Sequence, residues 1–108
     1  MTQNNELEHC NKITVRVDSS LGDLIPLYLN GRQKDVKDIP RALEQGDFET
    51  IRFLGHNMRG SGGGYGFDYI TEVGSCLELA AEEKDVEEIR KQILELVNYL
   101  EKIEIVFV

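Results

Sequence analysis

The sequence of 108 residues lacks the features of membrane and secreted proteins. It has no apolar run approaching the length of a membrane span, and its start contains no apolar core of a signal peptide. Two cysteines, Cys10 and Cys76, are too few for a disulfide framework. We therefore expect a cytoplasmic protein with reduced thiols, and the length predicts one domain.

Basic residues are also scarce. The chain has 12 Lys and Arg against 20 Asp and Glu, so its formal net charge is −8. Nucleic acids and anionic membranes would repel such a chain, and we expect neither as a partner. Four tyrosines and four phenylalanines are too few and too scattered to form a base-stacking surface.

Apolar periodicity predicts an all-α fold. A polar lead at residues 1–12 precedes a single domain at 13–108, in which four amphipathic helices cover about 20–101. The linkers between them are short, which predicts an antiparallel up-and-down four-helix bundle. Alternating apolar residues at 13–18 and 103–108 indicate two strands, which we expect to pair as a small ribbon because an isolated strand leaves its backbone unsatisfied.

Capping residues predict the helix boundaries. Candidate caps at 18–20 precede the first helix, and Gly46 is expected to stop it. Asp47 and Asp85 are predicted caps of the second and fourth helices. Pro40 lies within the first helical segment and is expected to kink or restart that helix. In the fourth helix, a stripe of apolar residues is predicted to face the core: Val86, Ile89, Ile93, Val97 and Leu100.

The stretch GHNMRGSGGGYGFD at residues 55–68 contains six of the ten glycines. A phosphate-binding loop would need Lys-Ser or Lys-Thr after the glycines, and a strand before them. Neither is present, and the spacing of Gly62, Gly64 and Gly66 does not match a dinucleotide fingerprint. Nucleotide binding is therefore not predicted.

A helical wheel of the second helix places His56 on its solvent face. Phe53 lies one turn before His56 on the same side, Arg59 lies three residues after it, and Gly60 follows at the next turn. The opposite, core-facing side contains Phe48, Ile51, Leu54, Gly55, Met58 and Gly62. A neutral imidazole is a good nucleophile near pH 7, a guanidinium stabilises phosphoryl oxygens, and glycine lets a partner approach.

The segment HNMRGSGGGYG resembles the signature of histidine phosphotransfer (HPt) domains. That signature has a histidine, a basic residue at +3, and glycines at +4 and +10, which here are His56, Arg59, Gly60 and Gly66. The resemblance extends over about 20–101, because the family also has four helices with the histidine in the middle of the second.

The resemblance implies a phosphocarrier of a two-component phosphorelay, not an enzyme with kinase activity of its own. His56 would accept a phosphoryl group, through Nε2, from the aspartyl phosphate of a response-regulator receiver domain. Arg59 would replace the family's usual lysine beside that group. The other implied partner is a sensor or hybrid histidine kinase. No cofactor or metal of its own is implied, since Mg²⁺ belongs to the receiver.

The remaining implied roles concern docking and the chain path. Phe53, Gly60 and Gly63 would contact the partner, and Gly66 would form the bend before the third helix. Further candidates for the apolar docking patch or its support are Met58, Tyr65 and Phe67, of which the wheel places Met58 in the core.

Two other functions remain open. One is a helical adaptor that binds a receiver or another partner through the Phe53 face without being phosphorylated. The other is a metal- or ligand-binding bundle, with His9 and Cys10 joined by Cys76 or His56, although adjacent ligands lack the spacing of a zinc site. Cys76 itself is expected to be buried or half-buried among core positions.

Overall fold

The computed structural model describes residues 12–108. The described chain is mostly helical, with four α-helices and a two-stranded sheet. The elements in order are β1 (Ile13–Val17), α1 (Ile25–Glu44), α2 (Phe48–Ser61), α3 (Asp68–Glu82), α4 (Val86–Lys102) and β2 (Ile103–Phe107). Short 3₁₀ turns at Ser19–Leu21 and Gly63–Tyr65 precede α1 and α3. The predicted polar lead lies outside the described residues except for its last one.

The predicted pairing of the chain's two strands is confirmed, and the pairing is parallel. Ile13 lies beside Ile103 and Val17 beside Phe107. Val15 and Val17 are buried against the helices, so one face of this small sheet closes an edge of the core.

The predicted ends of three helices are confirmed. The carboxylate of Asp47 accepts a hydrogen bond of 3.1 Å from the amide of Thr50 at the start of α2. Asp85 accepts the equivalent bond, also 3.1 Å, at the start of α4. Gly46 has φ of +67°, a left-handed conformation that ends α1 and that glycine adopts more readily than other residues.

The first helix differs from its prediction at both the start and Pro40. Asp18 caps the 3₁₀ turn, with its carboxylate accepting from the amide of Ser20, and α1 itself begins only at Ile25. The helix then continues through Pro40 to Glu44 without a restart. Proline removes one backbone hydrogen bond, and burial of the neighbouring Ile39 against the core outweighs that loss.

The core is formed by one side of every helix, and the prediction for α4 is only partly right. The fully buried positions on α4 include Ile89 and Leu96, and Gln92 and Tyr99 are nearly so. Four members of the predicted stripe are instead half-buried: Val86, Ile93, Val97 and Leu100. The apolar residues of α4 cover a broad arc, so two different sides of the helix could be predicted to face the core. Gln92 is tolerated inside because its side-chain amide donates a hydrogen bond to Glu88 at 2.7 Å.

Candidate functional site

The second helix presents His56 to solvent, as the wheel predicts. The side chain of His56 is 54% exposed, while Ile51 and Met58 on the opposite face are fully buried. Phe53, one turn before His56, is 58% exposed. A large apolar side chain therefore lies on the surface beside the imidazole.

Glycines let α2 and α3 pack backbone against backbone. A Cβ added to Gly74 of α3 would lie 2.5 Å from the amide nitrogen of Arg59 and 2.6 Å from the carbonyl oxygen of Gly55. A Cβ on Gly55 would lie 2.8 Å from the amide nitrogen of Glu78. These distances are shorter than van der Waals contact, so neither helix can accept a side chain there. The backbone around His56 is thus fixed directly against α3.

This close approach brings Glu78 of α3 to the imidazole. Glu78 Oε2 lies 3.0 Å from His56 Nδ1, and Glu78 Oε1 lies 3.2 Å from Arg59 Nε. The carboxylate is only 13% exposed, whereas the side chain of Arg59 is 49% exposed. Sequence reasoning found His56 and Arg59 but missed Glu78, which is 22 residues beyond the histidine.

The geometry determines which imidazole nitrogen bears the proton. Arg59 Nη2 also lies near Nδ1, but at 3.4 Å, and a guanidinium can only donate. The carboxylate of Glu78 can only accept, and its 3.0 Å approach is the better hydrogen bond. Nδ1 therefore donates its proton to Glu78, which leaves Nε2 with a free lone pair in the neutral ring.

The glycines after His56 have different surroundings. A Cβ on Gly60 would meet no atom within 4 Å, so the space over this position is open. The amide of Gly63 donates to Thr71 Oγ1 at 2.8 Å, which ties the 3₁₀ turn to α3. Gly66 has φ of +94° and forms the bend into α3. The α2 helix itself ends at Ser61.

The aromatic candidates for docking divide by burial. Phe67 and Met58 are fully buried and support the core instead of offering a contact surface. Tyr65 is half-buried and stacks on Tyr28 of α1, with ring centroids 4.4 Å apart. Of the sequence candidates, Phe53 is the one with a mostly exposed ring.

A groove lies on the other side of His56, between α2 and α1. It has a volume of about 490 Å³, and its lining includes Arg32 of α1 together with His56 and Asn57 of α2. At its edge the hydroxyls of Tyr28 and Ser61 form a hydrogen bond of 2.9 Å. Arg32 is a second cation of the site, and the sequence pattern gave no signal for it.

The described residues contain no group of three or more metal-ligating side chains. His9 and Cys10, which the metal-binding alternative requires, lie outside the described range. Cys76 is exposed, so the prediction that it is buried or half-buried is wrong. Its neighbours Val73 and Leu77 face the core, whereas Cys76 lies outside the buried face of α3.

Comparison of the chain with protein-family models, curated proteins and solved structures finds no match in any of the three. Between residues 12 and 108, no helix is long and apolar enough to cross a membrane.

Proposed function

We propose that this chain is an HPt phosphocarrier that takes a phosphoryl group onto Nε2 of His56 from a receiver domain and passes it on. The supporting observation is the hydrogen bond from His56 Nδ1 to the largely buried Glu78. It leaves Nε2 of the half-exposed imidazole as the nucleophile and orients the ring on a helix that is packed against α3 through glycine. The proposal includes the antiparallel up-and-down arrangement of the four helices, a cytoplasmic location, and a sensor or hybrid histidine kinase upstream.

The transfer step is a substitution at phosphorus. The Nε2 lone pair attacks the phosphorus of the receiver's aspartyl phosphate, a P–N bond forms, and the P–O bond to the aspartate breaks to release its carboxylate. The Nδ1 proton stays on the ring, and Glu78 stabilises the positive charge that the ring gains. The reverse reaction follows the same path. Positioning and electrostatics account for most of such catalysis.

Arg59 and Gly60 fit the space around the incoming group. The guanidinium of Arg59 is half exposed beside His56, with Nε 3.2 Å from Glu78 Oε1 and Nη2 3.4 Å from His56 Nδ1. A guanidinium in this place can bind phosphoryl oxygens. The open space over Gly60 would let the edge of the receiver's active site approach the ring. Because the receiver brings the Mg²⁺, this chain needs no metal ligands for the step.

A test is incubation of the chain with a phosphorylated receiver domain, followed by assay for a label that is acid-labile and base-stable. We expect wild type and the His56→Gln variant to differ completely, with no label on the variant. His9→Gln is the matched control, since it removes the other imidazole of the chain and should be labelled like wild type. Equal labelling of wild type and His56→Gln would disprove phosphotransfer through His56.

An adaptor without phosphorylation is the second candidate, because apolar side chains border the site. Phe53 is 58% exposed and Leu79, the residue after Glu78, is 56% exposed. Exposed apolar residues of this size on the two helices that hold His56 and Glu78 indicate a protein contact. Binding of the receiver that is unchanged by His56→Gln, with no label on wild type, would favour the adaptor.

A further inference from the structure

The groove between α1 and α2 contains a cation whose position is fixed before any partner arrives. The side chain of Arg32 is only 15% exposed, and its Nε donates to Asp35 Oδ2 at 2.8 Å. Its guanidinium carbon lies 4.5 Å from the centroid of the Tyr28 ring, so the plane of the group is held on an aromatic face. Tyr28 is in turn fixed by its hydrogen bond to Ser61.

The guanidinium of Arg32, although fixed in place, still has hydrogen-bond donors without an acceptor among the described residues. In the described part of the chain, its Nε has an acceptor, but Nη1 and Nη2 have none. An arginine with one edge anchored presents its remaining N–H groups as a preorganised anion contact. Arg32 and His56 line the same groove, together with Asn57 and the open position Gly60.

The two cations near His56 differ in what they already bind. Arg59 shares its carboxylate, Glu78, with the imidazole itself, so that its charge also serves to orient the ring. Arg32 is paired with Asp35, a carboxylate that makes no contact with His56 among the described hydrogen bonds. Arg32 is thus positioned independently of the imidazole, on the flank that α3 leaves open.

We propose that the α1–α2 groove is an anion subsite in which Arg32 binds an oxyanion next to His56. This inference rests on the proposed phosphotransfer function. The anion is either the phosphoryl group on Nε2 or a carboxylate of the docked receiver domain, and both present oxygens that a guanidinium recognises. Arg32 is an anion-binding residue, and it does not position the ring.

The test compares two phosphodonors. Phosphoramidate labels histidines without a protein partner, whereas the phosphorylated receiver requires docking. The variant combines Arg32→Gln with Asp35→Asn, so that no buried carboxylate is left without its cation. The control is Arg41→Gln, which removes the same charge from an exposed position on the same helix. Thermal unfolding by circular dichroism checks that both variants fold.

If Arg32 binds the phosphoryl group, the double variant should be labelled about tenfold more slowly than the control by both donors, the loss expected for one charge-assisted hydrogen bond. The phosphoryl pKa, followed by ³¹P NMR, should also rise, because a guanidinium favours the dianion. If Arg32 binds a receiver carboxylate, only the transfer from the receiver should slow by about tenfold.

Rates equal to those of Arg41→Gln with both donors would overturn the anion subsite while leaving phosphotransfer through His56 intact. Absence of label on wild type with both donors would instead overturn the proposed function, and the subsite with it.

Discussion

The two flanks of α2 are built differently. Toward α3, the helix packs on glycine, and backbone atoms meet at Gly55 and Gly74 with no room for a methyl group. Toward α1, long side chains separate the helices, and Tyr28 and Arg32 border an open groove. The same helix is therefore fixed on one side and accessible on the other.

This difference separates the contacts that position His56 from the open space beside it. Close backbone packing is stiff, so the α3 flank can hold the imidazole and Glu78 at hydrogen-bond distance. The side chains around the groove on the α1 flank leave space for an incoming group, whereas the α3 flank has no such space. Substitutions on the α3 flank should consequently change the stability of the fold and the orientation of the imidazole ring. Substitutions on the α1 flank should mainly change the binding of a ligand or a partner.

The largest effect is expected for Gly74→Ala. Its methyl group would overlap backbone atoms of Arg59 and Gly55, so α2 and α3 must separate, and overpacking of this kind costs about 3 kcal/mol. Urea unfolding followed by circular dichroism would measure the loss. The separation should also weaken the contact between Glu78 and His56, visible as a changed imidazole nitrogen shift in NMR. If the free energy of unfolding of Gly74→Ala equals that of wild type, then the α3 flank is not packed more tightly than the α1 flank.

A smaller effect is expected for Glu78→Gln. The amide oxygen can still accept from Nδ1, but it no longer supplies the negative charge that stabilises the ring cation formed during transfer. We expect labelling of His56 by phosphoramidate to slow by about tenfold. Glu82→Gln on the same helix is the charge-matched control, and a rate for Glu78→Gln equal to that of this control would contradict the assigned contact.

A modest stabilisation is expected on the α1 side. Gly31 lies inside α1, and a Cβ there would meet no atom within 4 Å. Because alanine is the better helix former, Gly31→Ala should raise the free energy of unfolding by about 0.5–1 kcal/mol. The same urea experiment measures it, and destabilisation would show that α1 is less open at this position than described.

The smallest expected effect is a pH dependence from Asp35 of the groove. Burial raises the pKa of this carboxyl above its ordinary value of 3.8, although Arg32 opposes the shift. The native state therefore binds this proton more tightly than the unfolded chain, so ionised Asp35 reduces stability as the pH rises above about 3.8. Asp35→Asn lacks this dependence.

Urea midpoints of wild type and Asp35→Asn between acid and neutral pH would test this. The stability of the variant should rise relative to that of wild type as the pH rises, because the raised pKa of Asp35 already includes its ion pair with Arg32. A difference that is constant, or that moves the other way, would contradict a raised pKa.

The features that could be predicted from the sequence are those determined by residues close to one another in the chain. Asp47, Asp85 and Gly46 act on their own helix ends, so neighbouring residues determine them. The exposure of His56 follows from the periodicity of α2 alone. Pairing of the two strands was predicted from the need to satisfy their backbones, but their parallel direction depends on the path of four helices.

Contacts between helices were not predicted, because they depend on interhelical distance. Glu78 reaches His56 only because Gly55 and Gly74 let α2 and α3 pack closely. The apolar periodicity of a single helix does not indicate how closely two helices approach. Arg32 looks like an ordinary surface residue until α1 is placed beside α2. The wrong prediction for Cys76 has the same cause. Val73 and Leu77 face the core, but how far the buried face of α3 extends toward Cys76 depends on where the neighbouring helices lie.

The parallel pairing of β1 with β2 has a consequence for the order of folding. Its partners are about 90 residues apart in sequence, as with Ile13 and Ile103, so their pairing closes the longest loop of the described chain. Loop closure is an entropic cost that later contacts must offset, and the helices form from local contacts that need no such closure. The strand pair is therefore expected to assemble last and to open first. Amide hydrogen exchange should then be faster in β1 and β2 than in the glycine-packed helix that bears His56.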